Sequence, residues 1–415
     1  MIESSHIKLN PKYLKLICIL SSCIVPLMVT GPFLPDLLVS VLSLWFIYFS
    51  LKYKIFYIYR NPYFYAFIGF CCVCIISSLL SDDIPLSLKA SLFYFRIGIF
   101  ALLISYLIDQ NNKILDYFYY SLIITFSALI IDGYIQYFSG INLLGYKMVG
   151  MRVSSFFGDE LILGSFLARI FPLLFALFVA RKIKQPYEVY GISILFILID
   201  VLIFIAGERA AFVLLNLSTL FIIIFISKYK WLRLGIFVIS IIIITFIVAN
   251  DTKLHDRYVK SPIDGMGLDN SKSKKNMFTP AHDALIRTAW NMFIDKPILG
   301  HGPKLYRVKC KDIKFASGPG VCHPHPHNFY IQLLAETGIV GFMFLAGLFI
   351  YFCYLMLKHT YIYFTNKHLL LSDYQICLLA GLLITIWPIT TSGNIFTNKL
   401  MLFYSLQMGF FRKIN

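Results

Sequence analysis

The stretch CHPHPHNFYIQLLAETG, from Cys322 to Gly338, concentrates polar chemistry in a chain that is otherwise mostly hydrocarbon. His323, His325 and His327 alternate with prolines. Each Pro fixes its own φ and turns the preceding residue away from helix, so the backbone there is extended and stiff. Asn328 is placed to cap a helix beginning at Phe329, which sets His327 at that helix's mouth. A lone imidazole with an ordinary pKa near 6.5 is suited to take a proton from an attacking hydroxyl. Three arginines offer the complementary chemistry: Arg152 in MRVSSFFGDE, Arg209 in AGERAAF and Arg287 in ALIRTAW. Each guanidinium can bond phosphate oxygens two at a time and stays charged at every physiological pH, so three together suit a diphosphate. Taken singly, each arginine reads equally as a helix-end residue reaching for a membrane interface, and the histidines as a Pro-rich surface elbow. The joint reading requires all four to meet at one boundary. It gains from Arg209, whose tight apolar turn would make an unpaired charge costly.

The elements that must position these residues are membrane helices. Hydrophobic residues make up 59% of the chain and charged ones only 14%, with a mean hydropathy of +0.75. A soluble domain has no use for so much apolar surface, so the composition predicts an all-α polytopic membrane protein. About twelve stretches are expected to span: 14–31, 34–51, 62–80, 89–108, 114–138, 160–180, 188–206, 210–227, 232–250, 337–357, 373–391 and 398–411. The first reads as a retained helix and not as a cleaved signal peptide. Lys and Arg in the short loops then orient the chain. With the N-terminus inside, one side collects seventeen, including Lys8, Lys182, Lys184, Arg233, Lys367, Arg412 and Lys413. The other holds five: Lys89, Lys147, Arg152, Arg209 and Lys399. Both termini are therefore expected in the cytoplasm and the arginine–histidine boundary on the outer face. The net charge of +16 is mainly this topology signal plus one basic loop, and it does not argue for nucleic-acid binding.

The organisation read from this is a first bundle over 1–250, a large outer loop with the histidine segment over 251–336, and a closing set of helices over 337–415. The outer loop is basic, with Arg257, Lys272, Lys274, Lys275, Arg307 and Lys309 among its cations, which suits an anionic neighbour such as phosphate, acidic sugar or lipid headgroup. Within it, AHDALIRTAWNMFIDKP has Leu285, Ile286, Ala289, Trp290 and Phe293 at helical spacing. This predicts an amphipathic helix over the bundle, ended by Pro297 and Gly300. Seven cysteines fall in or beside apolar spans, where Cys packs as a small hydrophobe. Cys310 and Cys322 bracket a short outer loop and are expected to form a disulfide if that side is oxidising, as a bacterial periplasm is. The three histidines could hold a metal in principle, but no carboxylate lies near them in sequence, and none is expected. Glu160, beside Asp159, is a candidate carboxylate near Arg152. Glu336 is equally a catalytic group or a structural partner. Asp132, Asp200, Arg96 and Arg169 fall within spans and are expected to pair inside the bundle.

Several of these segments together resemble the O-antigen ligase/polymerase family. HNFYIQLLAETGIVG, with ten residues between His327 and Gly338, is similar to the family's C-terminal signature. FIDKPILGHG resembles its Asp-x-Pro-hydrophobic-Gly-x-Gly segment, and Arg287 stands where its upstream arginine stands. GERAA resembles its Gly-x-Arg turn, and MRVSSFFGDELILGSFL its Arg-x-Ser segment. The likeness covers about residues 150–350. Departures are the doubled PHPH before His327 and Glu208 where Ser is common. The resemblance implies a GT-C-like membrane glycosyltransferase, metal-independent, inverting and without cofactor. It would take a glycan from undecaprenyl diphosphate at the periplasmic face of the bacterial inner membrane and join it to a sugar hydroxyl. In the ligase branch, favoured here, the acceptor is lipid A–core in lipopolysaccharide biosynthesis; in the polymerase branch it is a second lipid-linked glycan. His327, Arg209 and Arg287 would be the catalytic residues, with Arg152, Asn328 and Glu160 on substrate.

Two other classes use the same residues differently. A transporter of the lipid-linked glycan would carry polar residues through the membrane centre, whereas here the distinctive ones gather on one face. A scaffold or sensor would be indifferent to loss of His327.

Overall fold

The computed structural model describes residues 10–181, 185–266, 280–318, 320–366 and 369–411. Lys8, Lys182, Lys184, Lys272, Lys274, Lys275, Lys367, Arg412 and Lys413 lie outside the described residues. The chain is an all-α polytopic membrane protein; among the described residues the only β pairing is two isolated bridges. Six helices come first: α1 (Pro11–Ser22), α2 (Phe33–Lys52), α3 (Pro62–Leu79), α4 (Ile84–Ser91), α5 (Phe95–Gln110) and α6 (Lys113–Ser139). Then follow α7 (Leu163–Ala180), α8 (Pro186–Ile205), α9 (Arg209–Phe225) and α10 (Lys230–Asn250). After the large loop come α11 (Pro280–Asp295), α12 (Phe329–Asn366), α13 (Asp373–Thr385) and α14 (Asn398–Phe410).

Among the described residues, eight helical stretches are long and apolar enough to cross a membrane: α2, α3, Ile84–Gln110 (α4 running into α5), α6, α7, α8, α10 and α12. The other expected spans are shorter helices, with α9 at 17 residues, α13 and α14 at 13 each and α1 at 12. Local sequence sets their starts. Asn10 and Asn61 accept from the second backbone N–H of α1 and α3, each followed by a Pro in the first turn, and Ser372 with Gln375 closes a capping box on α13. The span expected over 373–391 stops at Thr385. Pro388 cannot continue a helix, and residues 386–397 instead become a loop that is buried at Ser392 and Asn394–Phe396 and exposed at Ile389.

The centre of the bundle is α7 against α13, and nearly every residue of both is buried. A short helix is tolerable there because protein, not lipid, surrounds its ends. Gly381 lets α13 close on its neighbours, since a Cβ there would fall 2.1 Å from the Gln407 side chain and 3.0 Å from Pro172. Arg233, counted above as a loop cation, lies within α10 and is fully buried. It donates both terminal nitrogens to Asp200 of α8, at 2.7 and 3.1 Å, with Thr219 and Ser240 completing the group. Arg96 pairs with Asp36 across α2 and α5. Asp132 is satisfied by hydroxyl, amide and backbone donors. Arg169 donates to the Ser165 carbonyl at 3.2 Å, but its buried Nε has no partner among the described residues and no acid pairs with it there.

α12 is two helices joined at Gly338, whose φ of 63° and ψ of −166° break the helix. The PILGHG segment lies against this kink. Ile339 N–H donates to Pro297 O (2.8 Å), Val340 N–H to Ile298 O (3.3 Å), His301 N–H to Ala335 O (3.0 Å) and Gly302 N–H to Glu336 O (2.8 Å). Two glycines make the approach possible: a Cβ on Gly338 would meet Ile298 O at 2.2 Å, and one on Gly300 would meet the Glu336 carbonyl carbon at 2.4 Å. This clamp fixes the long loop before the histidines to the helix that follows them. α11 packs on the same half of α12 through Leu285, Thr288, Ala289 and Met292. The buried stripe is rotated from the expected one, and Trp290 is half exposed. The reason is a small second core of Tyr306, Cys310, Phe315 and Ala335 under α11. Cys310 and Cys322 are joined there, their Cα atoms 5.2 Å apart.

Candidate active site

The histidine stretch is fastened to the loop between α13 and α14. Ser392 N–H donates to His327 O at 2.8 Å, and His325 Nε2 meets Ser392 O at 3.2 Å. Asn328 caps α12 by accepting from Tyr330 N–H (3.0 Å) and Ile331 N–H (3.2 Å), while its amide donates to Pro388 O at 2.7 Å. Tyr330 O–H reaches Ile386 O at 2.6 Å, and Gln332 ties Asn394 to Glu336 at 2.9 Å each. Glu336 is wholly buried and also accepts from Tyr306 N–H, so its two oxygens are occupied by structural donors. His327 itself sits at φ 57°, a left-handed conformation uncommon outside glycine and characteristic of functional sites.

Four imidazoles cluster here. The His327 ring centre is 4.3 Å from that of His325, 5.5 Å from His323 and 5.7 Å from His282. Burial, then the neighbouring His282 and His323, hold His327 below its ordinary value, opposed by a hydrogen bond from the imidazole to the Ser392 backbone. His325 is pushed down further, to about 4, chiefly by burial and then by His327. His327 is therefore neutral near pH 7 and able to accept a proton. Among the described residues no three His, Cys, Asp or Glu side chains are arranged to share a metal ion.

His282, near the start of α11, links the histidines to the arginines. Its own value is lowered by burial first and then by the charge of Arg209. Arg209 is the first residue of α9; it is exposed, and its guanidinium makes no hydrogen bond or ion pair with the described residues. Two further arginines stand beside it. Arg152 comes from the loop between α6 and α7, which α6 holds by two buried residues one turn apart. Asp132 accepts from Ser155 O–H (2.7 Å) and Leu143 N–H (2.8 Å), and Gln136 from Ser154 N–H (2.9 Å) and Ser155 N–H (2.7 Å). Arg152 donates to Leu161 O at 2.7 Å and lies 3.9 Å from Glu208. Glu208, at the turn before α9, accepts from Gly164 N–H (2.8 Å) and Ser165 O–H. Burial raises the Glu208 carboxyl despite these donors and Arg152.

The third arginine is Arg257, in the turn Asp256–Lys260 after α10. It donates Nε–H to Gly207 O at 2.7 Å. Burial first, then Arg152, weaken its hold on its proton, with Arg209 adding to the effect and Tyr258 and Glu208 opposing it. Gly207 has φ +72°, and a Cβ there would lie 3.0 Å from both Arg152 Cγ and Arg257 Nε, so only glycine lets the two side chains pass so close.

Of the residues read from sequence, Arg152, Arg209 and His327 thus gather in one neighbourhood. Arg287 lies on α11 five residues beyond His282, about 7.5 Å along the helix and about 140° around it. It is exposed and bonded to Asp283 at 2.7 Å, and no described contact ties it to His327 or Arg209. Glu160 is exposed and pairs with Lys399 at 3.2 Å, not with Arg152. Asn328 spends its side chain on the cap and on Pro388. Sequence reasoning passed over His282 and Arg257. The first was one polar residue at an amphipathic helix start, and the second was one cation in a basic loop.

A helical membrane protein that brings three arginines with one nearby carboxylate and a neutral histidine together has the equipment for group transfer from an anionic carrier. Residues 192–346 match the family model described as O-Antigen ligase and carry that family's domain. The stretch contains Arg209, Arg257, His282, Arg287 and His327, while Arg152 and the loop over 386–397 lie outside it. The match supports glycan transfer of the ligase or polymerase type in general, in keeping with the membrane helices. No curated protein matches the sequence.

Proposed function

We propose that this protein transfers a glycan from undecaprenyl diphosphate to an acceptor sugar hydroxyl at the periplasmic face of the inner membrane, by ligating O-antigen to lipid A–core. The observation that carries the reading is the packing of the His327 ring against His282, 5.7 Å between centres, with His282 in the field of Arg209 and Arg152 beside Glu208 at the turn before Arg209. Neutral His327 takes the proton of the acceptor hydroxyl as its oxygen attacks the anomeric carbon. The bond from that carbon to the phosphate oxygen breaks, and the electron pair leaves with undecaprenyl diphosphate. The guanidinium groups stabilise the charge that develops there. Attack opposite the leaving group inverts the anomeric centre, and because a diphosphate leaves readily, the chemistry needs neither nucleotide nor metal. Arg287, released from Asp283 by a bound anion, is a further candidate on the leaving group.

A deletion strain examined by lipopolysaccharide gel tests the proposal. Loss of ligation leaves long glycans on the lipid carrier; a single repeat unit on the core instead assigns the protein to polymerisation of lipid-linked repeat units. Complementation with His327→Ala at normal protein level should restore at most about 1% of transfer, the lower end of what a general base contributes. Full restoration would remove His327 from the chemistry and return the transporter and scaffold readings.

A further inference from the structure

We infer that Arg257 is a diphosphate-holding residue of this site, its two terminal guanidinium nitrogens completing a cradle begun by Arg152 and Arg209. The inference rests on the reading of a lipid-diphosphate donor given above.

Three observations carry it. First, Arg257 is held in place without using the end of its side chain. Nε–H donates to Gly207 O at 2.7 Å, and neither terminal nitrogen has a hydrogen-bond partner among the described residues. The adjoining Tyr258 anchors the turn, stacking on Phe204 at 4.2 Å and donating to Phe204 O at 2.6 Å. Second, Arg257 and Arg152 both reach within 3.0 Å of the point where a Gly207 Cβ would stand, so the two side chains cross over the turn that leads through Glu208 into Arg209. Third, the local charge does not balance. Three guanidinium groups face one carboxylate, and Glu208 is already engaged by Gly164 N–H, Ser165 O–H and Arg152. Two uncompensated positive charges at the water-facing end of a bundle, with free N–H groups in fork geometry, fit a diphosphate. A purely structural Arg257 would need only one donor toward Gly207 O, and a neutral amide could supply that.

Purified protein in lipid nanodiscs tests this with undecaprenyl diphosphate and undecaprenol as probes. Arg257→Gln keeps a donor for Gly207 O and removes the charge; Arg257→Lys keeps the charge and removes the fork. Both should weaken undecaprenyl diphosphate binding, Gln by about 10- to 100-fold and Lys by less, with undecaprenol binding and melting temperature unchanged. Arg209→Ala serves as the reference and should weaken the diphosphate lipid comparably. If Arg209→Ala weakens binding and Arg257→Gln does not, the assignment of Arg257 is overturned and the donor reading stands. If neither weakens it, the donor reading falls and takes this inference with it. A parallel drop in melting temperature and in undecaprenol binding would assign Arg257 to the fold and overturn the proposal.

Discussion

Replacing Gly338 by alanine tests how the histidine segment is held. At φ 63° and ψ −166° the residue occupies a region essentially confined to glycine, and an alanine there costs about 1–3 kcal/mol in backbone strain alone. The new Cβ would also stand 2.2 Å from Ile298 O and 2.6 Å from Leu299 N. Both are backbone atoms, so relief comes only by parting the two segments. Parting them breaks the bonds from Ile339 N–H to Pro297 O and from Val340 N–H to Ile298 O, each contributing about 1 kcal/mol. The combined loss is about 3–5 kcal/mol, which in a chain of this length lowers the melting temperature by about 3–6 °C. Gly347 on the same helix has nothing within 4 Å of its would-be Cβ, so Gly347→Ala should melt no lower than wild type. Thermal unfolding of the two variants in detergent, followed by tryptophan fluorescence, makes the comparison. Because the kink sets where α12 presents His327, Gly338→Ala should also lose glycan transfer. Equal melting temperatures and equal transfer in the two variants would refute the clamp.

Two further outcomes follow from the site. Since burial, His282 and His323 hold the His327 imidazole below its ordinary 6.5, the neutral base persists as pH falls through 6.5. The acid limb of kcat/KM should therefore lie below about 6.5, and His282→Gln, which removes a neighbouring cation at low pH, should move that limb upward; a limb above pH 7 would exclude His327 as the base. Reducing the Cys310–Cys322 bond, which closes a loop of sequence separation 12, should cost about 3 kcal/mol and lower the melting temperature under dithiothreitol, whereas Cys310→Ser should melt at the same temperature with and without it.

The helices were legible because lipid demands long apolar runs, and α2, α3, α6, α7, α8 and α10 lie within a few residues of where hydropathy puts them. Helix ends inside the protein were less so. α13 stops at Thr385, well short of the end of its apolar run, because Pro388 and the backbone partners offered by the histidine stretch outweigh hydropathy once lipid is absent. The cysteine pair and the Asn328 cap were readable from spacing. So was the Asp283–Arg287 pair, four residues apart on one helix. Arg233 was misread for a different reason. Three residues from the start of α10 it looks like a loop cation, and only the fold shows Asp200 opposite it.

Arg257 and His282 were illegible for a reason that bears on the family signature itself. Each acts through a partner at least 45 residues away, Gly207 for Arg257 and His327 for His282, and neither sits in a distinctive local pattern. The patterns that do stand out are of two physical kinds. Gly300, Gly302 and Gly338 are fixed by backbone approach: a side chain at any of them would lie within 2.7 Å of an atom of another segment. His327 and Arg209 are under no such packing demand, since Arg209 is exposed and His327 adopts a conformation that glycine or asparagine would hold more easily. The glycine clamp and the charged groups thus answer to separate requirements, one to hold the loop on the bundle and the other to handle an anion and a proton. That separation is why perturbing Gly338 should lower both stability and transfer, while perturbing Arg209 or Arg257 should lower anion binding and transfer and leave stability unchanged.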